Sequence, residues 1–137
     1  MSDGAGREIE GYRIDAEIGR GARAVVHRAT QLARQRTVAL KVLPADAAER
    51  ARLVRAGAGA TGIDHPHVLP VYAVGEAGDR AFIAMKLVDG STLEELVRAP
   101  GGIEARRALA ILRQVADALD HLAARGAPHG DVRAGAV

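Results

Sequence analysis

Residues 12–26 read YRIDAEIGRGARAVV, a segment in which a strand pattern runs into a glycine turn and then resumes. Tyr12, Ile14 and Ile18 alternate with polar or charged neighbours, which is the period of a strand with one buried face. Gly19-Arg20-Gly21 interrupts that alternation, and closely spaced glycines mark turns. The segment therefore predicts two neighbouring strands joined by a glycine-rich turn.

Three more strands and one helix are predicted in the residues that follow. Strand patterns cover residues 37–43, 69–74 and 81–85, each an apolar run bounded by turn residues. Residues 46–62 carry a helical pattern between the third and fourth strands. The sequence thus predicts a five-stranded antiparallel sheet with one helix.

The pattern becomes helical beyond Gly90. Ser91 and Glu94 have the spacing of a capping box, which predicts the start of a short helix. A longer helix is predicted over residues 103–125 and ends at Gly126, because glycine is the usual residue just past a helix end. Its apolar residues recur at intervals of three and four and form one face: Leu109, Leu112, Ala116, Leu119 and Ala123.

These patterns predict an α+β fold in three parts. We expect residues 1–11 to be a flexible N-terminus, residues 12–88 to form the sheet with its helix, and residues 89–137 to be mostly helical. With 137 residues and 48% hydrophobic content, the chain is long enough to build a core.

Composition narrows the classes of function. The sequence has no cysteine, which excludes disulfides and thiolate metal sites, and no apolar run approaches the about 18 residues of a membrane helix. We therefore expect a soluble, cytoplasmic chain.

Net charge is +2, arginines are spread along the chain, and aromatic residues make up 2%. This composition argues against nucleic acid as a partner, because few rings are available to stack on bases.

Five short pieces occur in an order typical of one family. They are Gly19-Arg20-Gly21-Ala22-Arg23-Ala24-Val25-Val26, Val38-Ala39-Leu40-Lys41, His65-Pro66-His67-Val68, Met85-Lys86-Leu87-Val88-Asp89-Gly90 and His129-Gly130-Asp131-Val132-Arg133. Their order and spacing resemble the bacterial eukaryotic-type serine/threonine protein kinase family over nearly the whole chain. The resemblance implies a kinase-like small lobe, the first helices of an incomplete large lobe, and ATP as the ligand.

The resemblance places nucleotide phosphates at the glycine-rich turn. Gly19 and Gly21 match the first two glycines of the family's G-x-G-x-x-G-x-V motif, Ala24 replaces the third, and Val26 follows at the motif's offset. Ile18, just before the turn, is a further nucleotide-binding candidate. The alternative is that two glycines in a chain with 16 form an ordinary turn.

The resemblance places the adenine site on two other predicted strands. Ala39 and Lys41 are two residues apart and so face the same side of a strand. By resemblance, Ala39 touches adenine, Lys41 reaches the phosphates, and Met85 lies at the back of the adenine pocket. The backbone from Lys86 to Val88 would bond the adenine edge, while the Lys86 side chain is expected to be a solvated charge.

The family's lysine has a glutamate partner on the first helix, and Ala56 occupies that place here. Glu49 lies seven residues earlier, roughly 10 Å away along a helix axis. We therefore expect Lys41 to lack its usual ion pair. We also expect the helix to be weak, since each internal glycine costs about 1 kcal/mol relative to alanine: these are Gly57, Gly59 and Gly62.

The last motif resembles the family's catalytic loop. Asp131 matches the base that accepts the substrate hydroxyl's proton, and Arg133 stands where a phosphate-contacting lysine is usual. Gly130 replaces an arginine, Ala136 replaces the magnesium-binding asparagine, and Val137 precedes any Asp-Phe-Gly motif. The resemblance implies ATP with magnesium, but the magnesium ligands are missing. We expect weak ATP binding at most and a truncated, pseudokinase-like chain without meaningful kinase activity of its own.

Two other functions compete with this interpretation. The apolar face of the 103–125 helix could bind a protein partner or a second copy, so the chain could be a non-catalytic scaffold with a vestigial nucleotide pocket. Metal binding by histidine is the weaker alternative, because no cysteine or carboxylate is spaced to complete a site. The histidines are His27, His65, His67, His121 and His129.

Overall fold

A computed structural model describes residues 5–126 of the chain. The described residues divide into two compact units. The first contains residues 5–63 and 69–88, and the second contains residues 64–68 and 89–126. Residues 64–68 therefore belong to the second unit, although residues of the first unit precede and follow them in the chain.

The first unit is a curled antiparallel sheet with one helix, as predicted for an α+β small lobe. The sheet has six strands in the order β1-β2-β3-β4-β6-β5. The elements are β1 (Glu8–Ile9), β2 (Tyr12–Arg20), β3 (Val25–Gln31), β4 (Arg36–Pro44), α1 (Ala47–Ala60), β5 (Val71–Ala77) and β6 (Arg80–Met85).

The sixth strand, β1, lies in the segment that was expected to be flexible. Its two residues pair with β2, and the Gly6 N–H donates to the Ile14 carbonyl at 2.7 Å. The Ile14 N–H in turn donates to the Arg7 carbonyl at 2.8 Å, and Ile9 packs against the buried core. Residues 6–9 thus extend the sheet at its β2 edge.

The core lies on one face of the sheet, because apolar side chains alternate along each strand. On β4, Val38 and Leu40 have no exposed surface, whereas Lys41 between Leu40 and Val42 is half-buried on the opposite face. The buried apolar side chains of this face contact one another across strands and form one cluster: Tyr12, Ile14, Ala29, Val38, Leu40, Val42, Phe82 and Ala84.

Helix α1 begins at a capping box. The Asp46 carboxylate accepts from the Glu49 N–H at 2.9 Å, and the Glu49 carboxylate accepts from the Asp46 N–H at 3.1 Å. Further along, Gly57 is buried against Val74 of β5, and a β-carbon at Gly57 would lie 2.3 Å from Val74 Cγ2. Gly57 is therefore a close-packing position as well as a poor helix former.

The second unit contains α2 (Leu93–Arg98) and α3 (Ala105–Ala124). The prediction that Ser91 caps the first of them is wrong, because the Thr92 hydroxyl accepts from the Glu95 N–H at 3.1 Å. Helix α3 agrees with the predicted 103–125 helix and is followed by Gly126 at a φ of 70°. No helix within residues 5–126 is long and apolar enough to cross a bilayer.

Segment 64–68 is held against α3 within the second unit. The Nε2 atom of His65 lies 3.3 Å from Asp117 Oδ2, and the His65 and His121 rings are 4.7 Å apart. His65 Nδ1 accepts from the His67 N–H at 3.1 Å, which closes the turn of this segment. The histidine at position 65 thus has both ring nitrogens engaged.

A carboxylate links β2 and β3 and makes stability depend on pH. Thr30 Oγ1 donates to Asp15 Oδ2 at 2.7 Å, and Arg13 Nε donates to Oδ1 at 3.1 Å. The hydrogen bond from Thr30, helped by Arg13, holds the pKa of Asp15 below its ordinary value. The carboxylate therefore stabilises the folded chain above the unfolded pKa of about 3.9, and this contribution is lost as pH falls through the lower folded pKa.

Thr30→Val is expected to raise the pKa of Asp15, because the largest cause of its lowering is removed. An NMR titration of the Asp15 carboxyl carbon measures the change. Thr37→Val on β4 is the matched control, since the exposed Thr37 makes no hydrogen bond to Asp15. A titration curve for Asp15 that is the same in wild type and Thr30→Val would contradict the assignment.

Candidate functional site

One row of residues crosses the sheet on the face opposite the core. Strand register pairs Gly19 with Val26, Val26 with Lys41, Lys41 with Ile83, and Ile83 with Val74. Directly opposed residues in antiparallel strands point to the same face. Gly19 of the glycine-rich motif and Lys41 therefore lie on one face of the sheet.

The adenine-side candidates lie on the same face, two residues along each strand. Ala39 pairs with Met85 across β4 and β6, and Ala39 is 6% exposed while Met85 is half-buried. The structure thus brings Ala39, Lys41 and Met85 together.

The segment after β6 has free backbone groups. The Lys86 N–H donates to the Pro70 carbonyl at 3.0 Å, whereas no backbone hydrogen bond in residues 5–126 uses the Lys86 carbonyl or the Val88 N–H. The Lys86 side chain is exposed, as expected, and Val88 is 60% exposed. One acceptor and one donor are therefore available here for the edge of a planar base.

The predicted glycine turn begins later than expected, because Gly19 and Arg20 lie in β2 and only Gly21 is in the connection to β3, and neither glycine is required there. A β-carbon at Gly19 would meet only Val26 Cβ at 3.9 Å, and one at Gly21 would meet only the Ala24 carbonyl at 3.8 Å. Neither residue has a positive φ. Because neither turn geometry nor packing demands glycine at these positions, a simple turn does not account for the motif. Ile18, beside it, is 45% exposed.

Lys41 has no acidic partner in the described part of the chain, where no carboxylate oxygen lies within 4.0 Å of its ammonium group. Ala56 is exposed on α1, and the Glu49 carboxylate is engaged elsewhere. Within residues 5–126, neither position 56 nor Glu49 therefore provides a carboxylate for Lys41.

Glu49 instead binds the glycine-rich turn, a contact that sequence analysis did not find. Arg23 Nη2 lies 3.3 Å from Glu49 Oε2 and donates to the Pro44 carbonyl at 3.1 Å. Arg23 and Glu49 are 26 residues apart, so no local spacing pattern joins them. The only sequence signal is a charged side chain inside a turn that otherwise has small residues.

No metal centre appears among residues 5–126, which hold no group of three or more histidine or acidic side chains arranged to bind a metal ion. His65 contacts Asp117 and His121, and His67 contacts His65, but these residues do not form such a group. The catalytic-loop candidates lie outside the described residues, and their predicted roles stay predictions: Gly130, Asp131, Arg133 and Ala136.

Curated kinases resemble this chain in sequence. A family model described as protein tyrosine and serine/threonine kinase matches residues 12–137. Serine/threonine-protein kinase PknE of Mycobacterium tuberculosis is 36% identical over 140 residues, which cover 96% of this chain and 25% of PknE. PknJ of the same organism is 37% identical over 133 residues, which cover 94% of this chain and 22% of PknJ.

A solved structure is similar in fold. The kinase domain of Mycobacterium tuberculosis PknI matches with a TM-score of 0.86 and 33% identity, over 96% of this chain and 56% of that domain. The chain spans about a quarter of the length of PknE and PknJ and a little over half of the solved PknI domain. The resemblance predicted from the motif order is confirmed, and the chain belongs to the protein tyrosine and serine/threonine kinase family.

Proposed function

We propose that residues 12–88 form a serine/threonine kinase-like domain that binds an adenine nucleotide on the face carrying Lys41. The observation behind this proposal is the row in which Gly19, Val26 and Lys41 share one face of the sheet. A cation opposite a glycine-rich turn suits a polyphosphate, because small residues let backbone N–H groups approach the phosphate oxygens.

The adenine ring would lie beside Ala39 and Met85, between Ile18 and Val26 of the turn region. Its edge would bond the free Lys86 carbonyl and Val88 N–H. Apolar lining with a few placed polar groups is typical of small-molecule sites. The glycines at 19 and 21 support this proposal, since neither the backbone conformation nor the packing requires glycine at these positions.

We further propose that these 137 residues alone transfer phosphate poorly or not at all. The family's reaction uses magnesium to neutralise developing charge, and Ala136 has no side chain that could bind the ion. Within residues 5–126, Lys41 also has no carboxylate within 4.0 Å that would fix its position. If transfer does occur, Asp131 would be the base, Lys41 would bind the phosphates and Arg133 would be a further phosphate contact. A cytoplasmic location suits a protein that uses ATP.

Thermal unfolding with and without millimolar ATP, in magnesium and then in EDTA, tests nucleotide binding. A ligand at about ten times its Kd stabilises the folded state by about 1.4 kcal/mol, which raises the Tm of a chain of this size by several degrees. We expect the shift to survive EDTA, because the proposed contacts need no metal. An unchanged Tm would contradict the proposal, and phosphate incorporation at ordinary kinase rates would contradict the proposed impairment.

A scaffold function is the second candidate and rests on α3. Leu109 is 50% exposed and Leu112 is 59% exposed, three residues apart on one helix face. If this face binds a protein or a second copy, Leu112→Lys should lower the sedimentation-derived mass or abolish partner binding while ATP stabilisation persists. A monomeric wild type that binds no protein would favour nucleotide binding as the function.

A further inference from the structure

The arginine inside the glycine-rich turn connects that turn to the start of α1. Arg23 Nη2 contacts both carboxylate oxygens of Glu49, at 3.3 Å and 3.5 Å, and donates to the Pro44 carbonyl at 3.1 Å. Pro44 ends β4 and Glu49 lies in the first turn of α1. A single guanidinium group thus links three elements: the turn, the end of β4 and the helix.

The anchor for this guanidinium is held in place by the helix cap. Glu49 Oε2 accepts from the Asp46 N–H at 3.1 Å, and the Glu49 N–H donates to the Asp46 carboxylate at 2.9 Å. The Glu49 side chain is 30% exposed, whereas the Arg23 side chain is 61% exposed. The carboxylate is therefore the fixed partner, and the guanidinium is the one that can move.

Helix α1 lies on the same face of the sheet as Lys41. Gly57 of α1 packs against Val74, and Val74 is in the row that contains Ile83 and Lys41. The link from Arg23 to Glu49 therefore runs on the side where a nucleotide's phosphates would bind. The nearby Arg20 lies at the end of β2 and, within residues 5–126, has its ion pair with Glu17 of the same strand.

We propose that Arg23 is a phosphate-responsive latch. Without ligand, Glu49 and the Pro44 carbonyl hold the guanidinium, and when a polyphosphate binds, its oxygens take the guanidinium from Glu49. This inference rests on the proposed nucleotide site and names a further phosphate-binding residue in it. Arginine matches phosphate oxygens with two parallel donors, whereas only Nη2 of Arg23 contacts the Glu49 carboxylate.

The latch predicts opposite effects for its two members. Glu49→Gln frees Arg23 while its amide oxygen still accepts from the Asp46 N–H, as in a glutamine capping box. Because exposed ion pairs are weak, we expect this variant to bind ATP about threefold more tightly than wild type. Arg23→Ala should bind ATP about threefold more weakly. The double variant should match Arg23→Ala, since Glu49 acts only through Arg23.

The experiment measures the Kd of the full chain for ATP, tripolyphosphate and adenosine by isothermal titration. Adenosine affinity should be the same in every variant, because the phosphates are the only part of the nucleotide that Arg23 would contact. Glu76→Gln is the matched control: Glu76 pairs with Arg50 of α1 at 3.1 Å, also across 26 residues, but does not touch the turn. We expect Glu76→Gln to leave all three affinities unchanged.

Several outcomes separate this latch from the nucleotide site itself. If wild type binds ATP but Glu49→Gln and Arg23→Ala change its affinity in the same direction, or not at all, the latch is wrong and the site stands. If adenosine affinity changes in parallel with ATP affinity, Arg23 and Glu49 act only on folding and the latch is wrong. If wild type binds neither ATP nor adenosine, the proposed function is wrong. If wild type also does not bind tripolyphosphate, the latch is wrong too.

Discussion

Gly57→Ala is expected to lower the free energy of unfolding by about 1–2 kcal/mol. The added β-carbon would lie 2.3 Å from Val74 Cγ2 and 2.4 Å from Val74 Cβ, and the short, stiff valine side chain cannot turn away. Overpacking of this kind costs about 1–3 kcal/mol, and the better helix propensity of alanine offsets up to about 1 kcal/mol of it. Urea unfolding followed by circular dichroism measures the difference.

Gly59→Ala is the control in the same helix. A β-carbon at Gly59 meets nothing within 4 Å, so only helix propensity changes, and stability should rise by up to about 1 kcal/mol. The two substitutions are chemically identical and two residues apart, yet their effects should have opposite signs. If both variants are stabilised, α1 does not pack on β5 at Gly57 in the way the structure shows.

Lys41→Met is expected to weaken ATP binding about tenfold and to leave adenosine binding unchanged. The ammonium group has no carboxylate partner in residues 5–126, so its charge is available to a phosphate, and hydrogen bonds to charged groups contribute about 1.5–3 kcal/mol. Methionine keeps the apolar part of the side chain. Titration calorimetry with both ligands measures the two affinities.

Arg34→Met is the control for lost positive charge, since exposed Arg34 lies in the connection between β3 and β4. Its removal should leave ATP affinity within twofold of wild type, because charges separated by more than about 10 Å are largely screened at 0.1 M salt. Equal losses in both variants would mean that overall charge, and not a phosphate contact at Lys41, attracts the nucleotide.

The sequence predicted most of the sheet, because alternation is a local signal. The apolar run over residues 37–43 indicated a strand, and the structure places Val38, Leu40 and Val42 of that run in the core. The two-residue strand Glu8–Ile9 was missed, since two residues are too few to show a period. Ser91 was predicted as the helix cap from Glu94 three positions later, but Thr92 has the same spacing to Glu95 and is the residue that caps α2.

The candidate site was predictable where it depends on position along strands. Ala39 and Lys41 share a face by simple alternation, and the register with Met85 and Val26 places them in one region. What the sequence could not provide was contact between distant elements. Gly57 was interpreted only as a helix-weakening residue because Val74 is 17 positions away, and Arg23 gave no indication of Glu49.

Segment 64–68 limits how the polypeptide can be cut into fragments that correspond to its two units. It belongs to the second unit, although residues of the first unit precede and follow it in the chain. A fragment that stops at Val88 would keep His65 but lose Asp117 and His121, its neighbours on α3. No single cut in the polypeptide can therefore yield both units intact, and a genetic exchange between related proteins would have to carry this short segment together with the helix it contacts.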